Sequence, residues 1–86
     1  MLNIETICQA ATAVLINANR PMLAQDIYNG ITDGALYQFK AKNPLSVLKS
    51  ELRKHSVGVD SPLQSGVKYF QLLDDGTFWI KDKPLP

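Results

Sequence analysis

The most regular feature of the chain is a stripe of apolar residues, Ile4, Ile7, Cys8, Ala11, Val14, Leu15 and Ala18, spaced three and four apart. That period lines them up along one side of an α-helix. Asn3 can cap its start by accepting a bond from an unpaired backbone N–H, and Pro21 keeps Arg20 out of helical geometry. The spacing therefore predicts a first helix over about residues 4–18. Pro21-Met22-Leu23 reads as a short extended piece, after which Ala24, Ile27, Tyr28 and Ile31 restore the helical period until Thr32-Asp33-Gly34 interrupts it. Residues Ala35 to Lys42 show no helical period and read as an extended connecting loop. Asn43-Pro44 opens a third helix, because Asn caps well and Pro at the first helical position gives up only an N–H that lacks a partner anyway.

At about 100° per residue, Leu45, Leu48 and Leu52 of this third helix share one narrow stripe, and Ser46, Val47, Ser50, Arg53 and Lys54 turn away from it. The helix is read over residues 44–56, with Gly58 as the stop just beyond. Past a loop containing Gly and Ser, Val67 to Leu73 and Thr77 to Ile80 are β-prone runs joined by the turn Asp74-Asp75-Gly76, which predicts a β-hairpin. Alternation puts Phe70 and Leu72 on the same face as Phe78 and Ile80, with Trp79 opposite. The expected core is Ile7, Val14, Leu15, Ile27, Leu48, Leu52, Phe70, Phe78 and Ile80.

Composition narrows the class. With 45% hydrophobic and 20% charged residues in 86, the chain has the makeup of one ordinary globular domain. Residues 1–82 are read as that domain and residues 83–86 as a linker or chain end. A core of this size leaves little room for an internal cleft, which argues against a small-molecule substrate. The single cysteine, Cys8, excludes an intrachain disulfide and suits a reducing compartment. The opening residues lack a basic segment followed by an apolar run, and no stretch is apolar enough to span a membrane, so a cytoplasmic location is expected.

The net charge of +1 hides an uneven distribution. Residues 1–39 carry −2; residues 40–68, with Lys40, Lys42, Lys49, Arg53, Lys54 and Lys68 against Glu51 and Asp60, carry +4; residues 69–86 carry −1. The basic segment contains the third helix and the loop before it, which points to a polyanionic partner.

The order of elements, three helices with a short extended piece after the first and a terminal hairpin, predicts an α+β fold: a winged helix-turn-helix with a C-terminal β-hairpin wing. In such folds the third helix is the element usually offered to the DNA major groove. Over about residues 4 to 82 the chain also resembles the HARE-type winged helices of restriction-associated, chromatin-associated and RNA polymerase delta-subunit proteins. The residues that carry the likeness are Asn19-Arg20-Pro21-Met22, Asp26-Ile27, Lys42-Asn43-Pro44 and Asp75-Gly76-Thr77-Phe78-Trp79-Ile80. The resemblance implies association with DNA or chromatin, often as a targeting module attached to another domain. The polymerase-subunit members imply that protein contacts are the alternative.

Candidate nucleic-acid contacts follow from the basic segment. Lys49, Arg53 and Lys54 offer charged donors for phosphates, and Ser46 and Ser50 beside them permit close approach of a helix. Lys40 and Lys42 sit just before the third helix, where a phosphate would also meet unpaired backbone N–H groups. A solvated basic helix face accounts for the same residues without any partner. Among the interleaved aromatics, Phe39 is expected to anchor the loop in the core.

Asp74 and Asp75 would be repelled by phosphates. They fit either turn chemistry or a protein contact. Trp79 is either a partner-binding anchor, if exposed, or a cover for the edge of the core. His55, with no Cys or carboxylate cluster at metal-ligand spacing, is expected to serve at the surface or as a cap. Cys8, within the apolar stripe, is expected to behave as a small hydrophobe. No catalytic set and no phosphate loop can be assembled, so the sequence predicts a binding module with no enzymatic activity and no cofactor or metal. Double-stranded DNA is the expected partner, with a protein partner or fused domain as the alternative.

Overall fold

The computed structural model describes residues 6–58 and 67–86. Among these, the chain forms α1 (Ile7–Ala18), α2 (Ala24–Asp33), α3 (Pro44–Lys54), β1 (Ser56–Val57), β2 (Phe70–Leu72) and β3 (Phe78–Ile80). The class is α+β, with three helices and a three-stranded sheet among the described residues. The expected cap Asn3, the first stripe residue Ile4 and the loop at 59–66 lie outside the described residues.

The first helix starts later than the sequence predicts. Thr6 is extended (φ −128°, ψ 160°) and its hydroxyl accepts the Gln9 N–H at 3.1 Å, while the Gln9 side chain accepts the Thr6 N–H. This reciprocal capping box satisfies two donors that would otherwise lack partners, which a lone Asn3 cap cannot do. At the other end, Asn19 takes the left-handed conformation (φ 53°) and its N–H closes on Leu15 O. The helix thus ends before Pro21 acts on Arg20.

The third helix also corrects the reading. It stops at Lys54, His55 is its C-cap, and Ser56–Val57 leave it as β1, which pairs in parallel with β2. The reason lies in the partner strand: His55 O accepts both the Tyr69 and Phe70 N–H groups, at 2.8 and 3.1 Å. These tertiary bonds replace further helical turns. Gly58 therefore ends a strand, not a helix, and its φ of 87° is one that glycine adopts without strain. Buried Ser56 bonds back to Leu52 O.

The hairpin forms as expected, although β2 is shorter than the Val67 to Leu73 run. Phe70 pairs with Ile80, Gln71 with Trp79 and Leu72 with Phe78. Leu73 O accepts Gly76 N–H at 3.0 Å, Leu73 N–H reaches Thr77 O at 2.9 Å, and Gly76 has φ 85°. This is a three-residue loop with glycine in the left-handed position. The piece after α1 joins the sheet through a bridge in which Met22 and Phe78 exchange both backbone bonds, at 3.1 and 2.8 Å.

The core gathers Ala10, Ala11, Val14, Leu15, Met22, Ala24, Ile27, Ile31, Leu48, Leu52, Phe70, Phe78 and Trp79. Seven of the nine expected core residues are in it, and Ile7 and Ile80 are half-buried against it. Trp79 is fully buried, which removes it as an exposed partner anchor. Its indole N–H donates to Lys83 O at 3.0 Å and Pro84 O at 3.3 Å, so the tail supplies the partner that a buried indole requires. Among the described residues, no helix is long and apolar enough to cross a membrane.

Gly30 marks the closest approach of α2 to α1. A Cβ there would lie 2.6 Å from Val14 Cγ1 and 3.1 Å from Cγ2. Val14 is β-branched and in a helix, so it has little rotamer freedom with which to withdraw. In an open helix Gly→Ala stabilises by about 0.8–1.0 kcal/mol, whereas overpacking costs about 1–3 kcal/mol. Gly30→Ala is therefore expected to lower the denaturation midpoint. The same substitution made in a Val14→Ala background is expected to become neutral or stabilising, a change of sign that denaturant titration of the four proteins would read.

Candidate nucleic-acid interface

Leu48 and Leu52 hold α3 to the core, and this fixes which residues its opposite side presents. Ser46, Lys49, Ser50 and Arg53 are all exposed and fall within an arc of about 100° around the helix. Lys49 and Arg53, one turn apart, line an open groove of about 370 Å³ whose other walls are Leu23, Ala24, Gln25, Gly76 and Phe78. The basic side of α3 thus borders the start of α2 and the turn of the hairpin. Lys54, also exposed, sits toward the flank nearest α1, close enough for its charge to act on Cys8.

Lys40 and Lys42 are exposed in the loop before α3. The loop is anchored by Phe39, which packs against the core and lies 5.5 Å from the ring of Tyr28 and 5.1 Å from that of Tyr37. The helix N-terminus is partly satisfied from within: Asn43 Oδ1 accepts the Ser46 N–H at 3.3 Å, and Pro44 has no N–H to offer. This is the cap the Asn43-Pro44 pair predicts, and it leaves the lysine side chains as the exposed cations at this end of the helix.

Asp74 and Asp75 are exposed at the hairpin turn. The Asp75 carboxylate accepts bonds from the hydroxyl and backbone N–H of Thr77, and these hold its pKa below the ordinary value of 3.8. This is turn chemistry, in which an Asp side chain bonds the backbone two residues on.

On the far side of α3 the fold brings together residues that are distant in sequence. Cys8, Glu51 and His55 place Sγ, a carboxylate oxygen and a ring nitrogen within 4.8 Å of one another. His55 caps α3, one of the two roles the sequence suggests, and the fold also gives it neighbours that the sequence spacing does not reveal. The Glu51/His55 spacing was visible on one helix face, but Cys8 joins them only because α1 packs beside the end of α3. The cysteine is half-buried, not fully buried. Desolvation pushes its thiol up from 9.0 to about 11, the Glu51 charge adds to the rise, and the Lys54 charge opposes it.

Comparison of the chain with family models, curated proteins and solved structures finds no match.

Two titrations check this geometry. Because the folded pKa of Asp75 is depressed, the turn bonds are fully present above the unfolded value and are lost as pH falls through the folded one. NMR is expected to show the Asp75 carboxyl titrating below 3.8, with Thr77→Val moving its midpoint upward. Raised to about 11, Cys8 carries roughly a hundredfold less thiolate at neutral pH than a thiol at 9.0. Alkylation by iodoacetamide is expected to be slower in the folded protein than in the denatured chain, by less than that factor because a thiolate of higher pKa is the stronger nucleophile.

Proposed function

We propose that this chain is a DNA-binding winged-helix module, with α3 as the helix that meets the duplex and the β2–β3 hairpin as the wing. The observation that carries the reading is the two-sidedness of α3. Leu48 and Leu52 are fully buried while Ser46, Lys49, Ser50 and Arg53 are exposed together on the other side, with exposed Lys40 and Lys42 preceding the helix. Small hydroxyl side chains between cations allow a helix to approach a groove while the cations reach the phosphates. The bridge between Met22 and Phe78 supports the same reading, since it ties the piece between the first two helices to the hairpin. So does the resemblance of the chain to HARE-type winged helices, whose members imply a module that targets or regulates a larger protein or a restriction-type system.

The acidic pair at the hairpin turn favours a second reading, a protein-interaction module. Asp74 and Asp75 are exposed near the groove that Lys49 and Arg53 line, and a wing so charged does not enter a DNA groove tip-first.

Salt dependence and mutation separate the two. With three to five usable cations, duplex binding is expected to be micromolar at best, with a log–log salt slope of roughly −3 to −5, from about −0.9 per phosphate contact. Lys49→Ala and Arg53→Ala are each expected to weaken binding and to make the slope shallower by about 1. Lys54→Ala, on the flank, is expected to do less. Asp74→Asn and Asp75→Asn are expected to leave binding unchanged or tighten it slightly. Anisotropy titrations of a labelled duplex provide the measurement, and absence of binding even near 50 mM salt, where non-specific attraction is strong, would overturn the DNA reading.

A further inference from the structure

We propose that Cys8, Glu51 and His55 form a binding site for a divalent transition-metal ion, zinc foremost, that joins α1 to the end of α3. The proposal does not depend on whether α3 meets DNA.

The first argument is the separation of the ligand atoms. His55 Nε2 lies 3.4 Å from Glu51 Oε2. On a tetrahedral zinc, with arms of about 2.0–2.2 Å to nitrogen and oxygen, two such ligand atoms stand about 3.3–3.5 Å apart. The third atom, Cys8 Sγ, is within 4.8 Å of a ring nitrogen of His55 and of a carboxylate oxygen of Glu51. A tetrahedral site needs a sulfur about 3.6 Å from its neighbours, so closure asks for a movement of about 1 Å, within the reach of one side-chain rotation.

The second argument is the orientation of the imidazole. Its Nδ1 lies 2.8 Å from Val67 O. A carbonyl oxygen only accepts, so Nδ1 carries the hydrogen in this bond. In the neutral ring the lone pair is then on Nε2, the atom that lies 3.4 Å from Glu51 Oε2. A metal-ligating histidine is held in this way, with its second ring nitrogen donating to a backbone carbonyl that fixes tautomer and ring angle. Nε2 and the carboxylate oxygen stand 3.4 Å apart, a separation that a single cation, a proton or a metal ion, can bridge.

The third argument concerns room and chemical preference. The three residues line an open cleft of about 290 Å³ with Thr6, Ile7, Tyr37 and Tyr69, which leaves a path for an ion and space for a solvent molecule as fourth ligand. Tyr69 packs on the imidazole at 5.2 Å between ring centroids and helps keep it in place. The cluster also lies at the C-terminal end of α3, where the helix dipole favours a cation. One sulfur, one imidazole nitrogen and one carboxylate oxygen suit zinc or cobalt and disfavour magnesium or calcium, which take oxygen ligands. The bound ion would cross-link α1 and α3 and, through Val67 O, the chain entering β2. In a domain with one cysteine and no disulfide, such a staple adds stability that a small core supplies sparingly.

The sequence makes the test unusually clean, because Cys8 and His55 are the chain's single cysteine and single histidine. A spectrum showing both sulfur and imidazole ligation from one chain can come from this pair alone. Untagged, chelator-treated protein would be titrated with cobalt(II) and followed by absorption, and zinc affinity measured by competition with a chromophoric chelator. The expected result is one ion per chain, tetrahedral cobalt bands with a sulfur-to-cobalt charge-transfer band, and a rise in melting temperature with zinc. Cys8→Ser is expected to abolish the charge-transfer band, and it and His55→Gln are each expected to weaken zinc binding at least about tenfold. Glu51→Gln is expected to weaken zinc while keeping the sulfur band. Far-UV circular dichroism of each variant distinguishes lost ligation from lost fold, and Cys8→Ser, being nearly isosteric at a half-buried position, is the variant on which the proposal rests. No cobalt bands and no zinc-dependent melting shift in the unmodified chain would overturn it. So would zinc binding that Cys8→Ser leaves unchanged, or a complex of two chains per ion.

Discussion

Met22 and Phe78 exchange both of their backbone hydrogen bonds, and the placement of the hairpin against the helices follows from that pair. The β2–β3 ladder has only three residue pairs, and a hairpin that short is marginal in isolation. Bonded to the segment between α1 and α2, it gains a neighbour on its β3 edge while β1 lines its β2 edge. Met22 and Phe78 are both buried as a result, and the hairpin turn is brought beside the start of α2 and the Lys49/Arg53 side of α3. An unattached hairpin would leave that side of α3 without its second wall.

Helix α3 is where the constraints meet, because its circumference is divided three ways. Leu48 and Leu52 face the core; Ser46, Lys49, Ser50 and Arg53 face solvent beside the hairpin turn; Glu51 and His55, one turn apart, face Cys8 on α1. None of the three sectors can be shifted alone, since rotating the helix to improve one would unmake the leucine packing. The early end of the helix serves the third sector. As one of the last carbonyls of the helix, His55 O has no helical N–H to accept, and it receives instead the Tyr69 and Phe70 N–H groups that lead into the β2 pairing.

The hairpin turn shows how one residue type answers two demands. Asp75 bonds Thr77 and fixes the turn, while Gly76 takes the positive φ that ends it. Its charge near Lys49 and Arg53 is then a consequence of turn chemistry, and the surface there is mixed in sign. The attraction that Lys49 and Arg53 could exert on any anion is reduced accordingly.

The sequence by itself determined the three helices and the hairpin, because apolar periodicity, an Asn-Pro entry and an Asp-Gly turn are local signals that depend on a few neighbouring residues. It also determined the two-sided character of α3, since helix geometry converts the spacing of Leu48, Leu52, Lys49 and Arg53 directly into opposite faces. Only the tertiary structure decided where α3 stops, because bonds from Tyr69 and Phe70 compete there with helix propagation. Only it decided that Trp79 is buried in the core, with its indole N–H bonded to the tail carbonyls of Lys83 and Pro84. The meeting of Cys8 with Glu51 and His55 was equally beyond local reading: Cys8 and Glu51 are 43 positions apart, and the packing of α1 against the end of α3 brings them together. Local signals fix what a segment becomes, whereas which side chains from different segments share a site depends on how the whole core is filled.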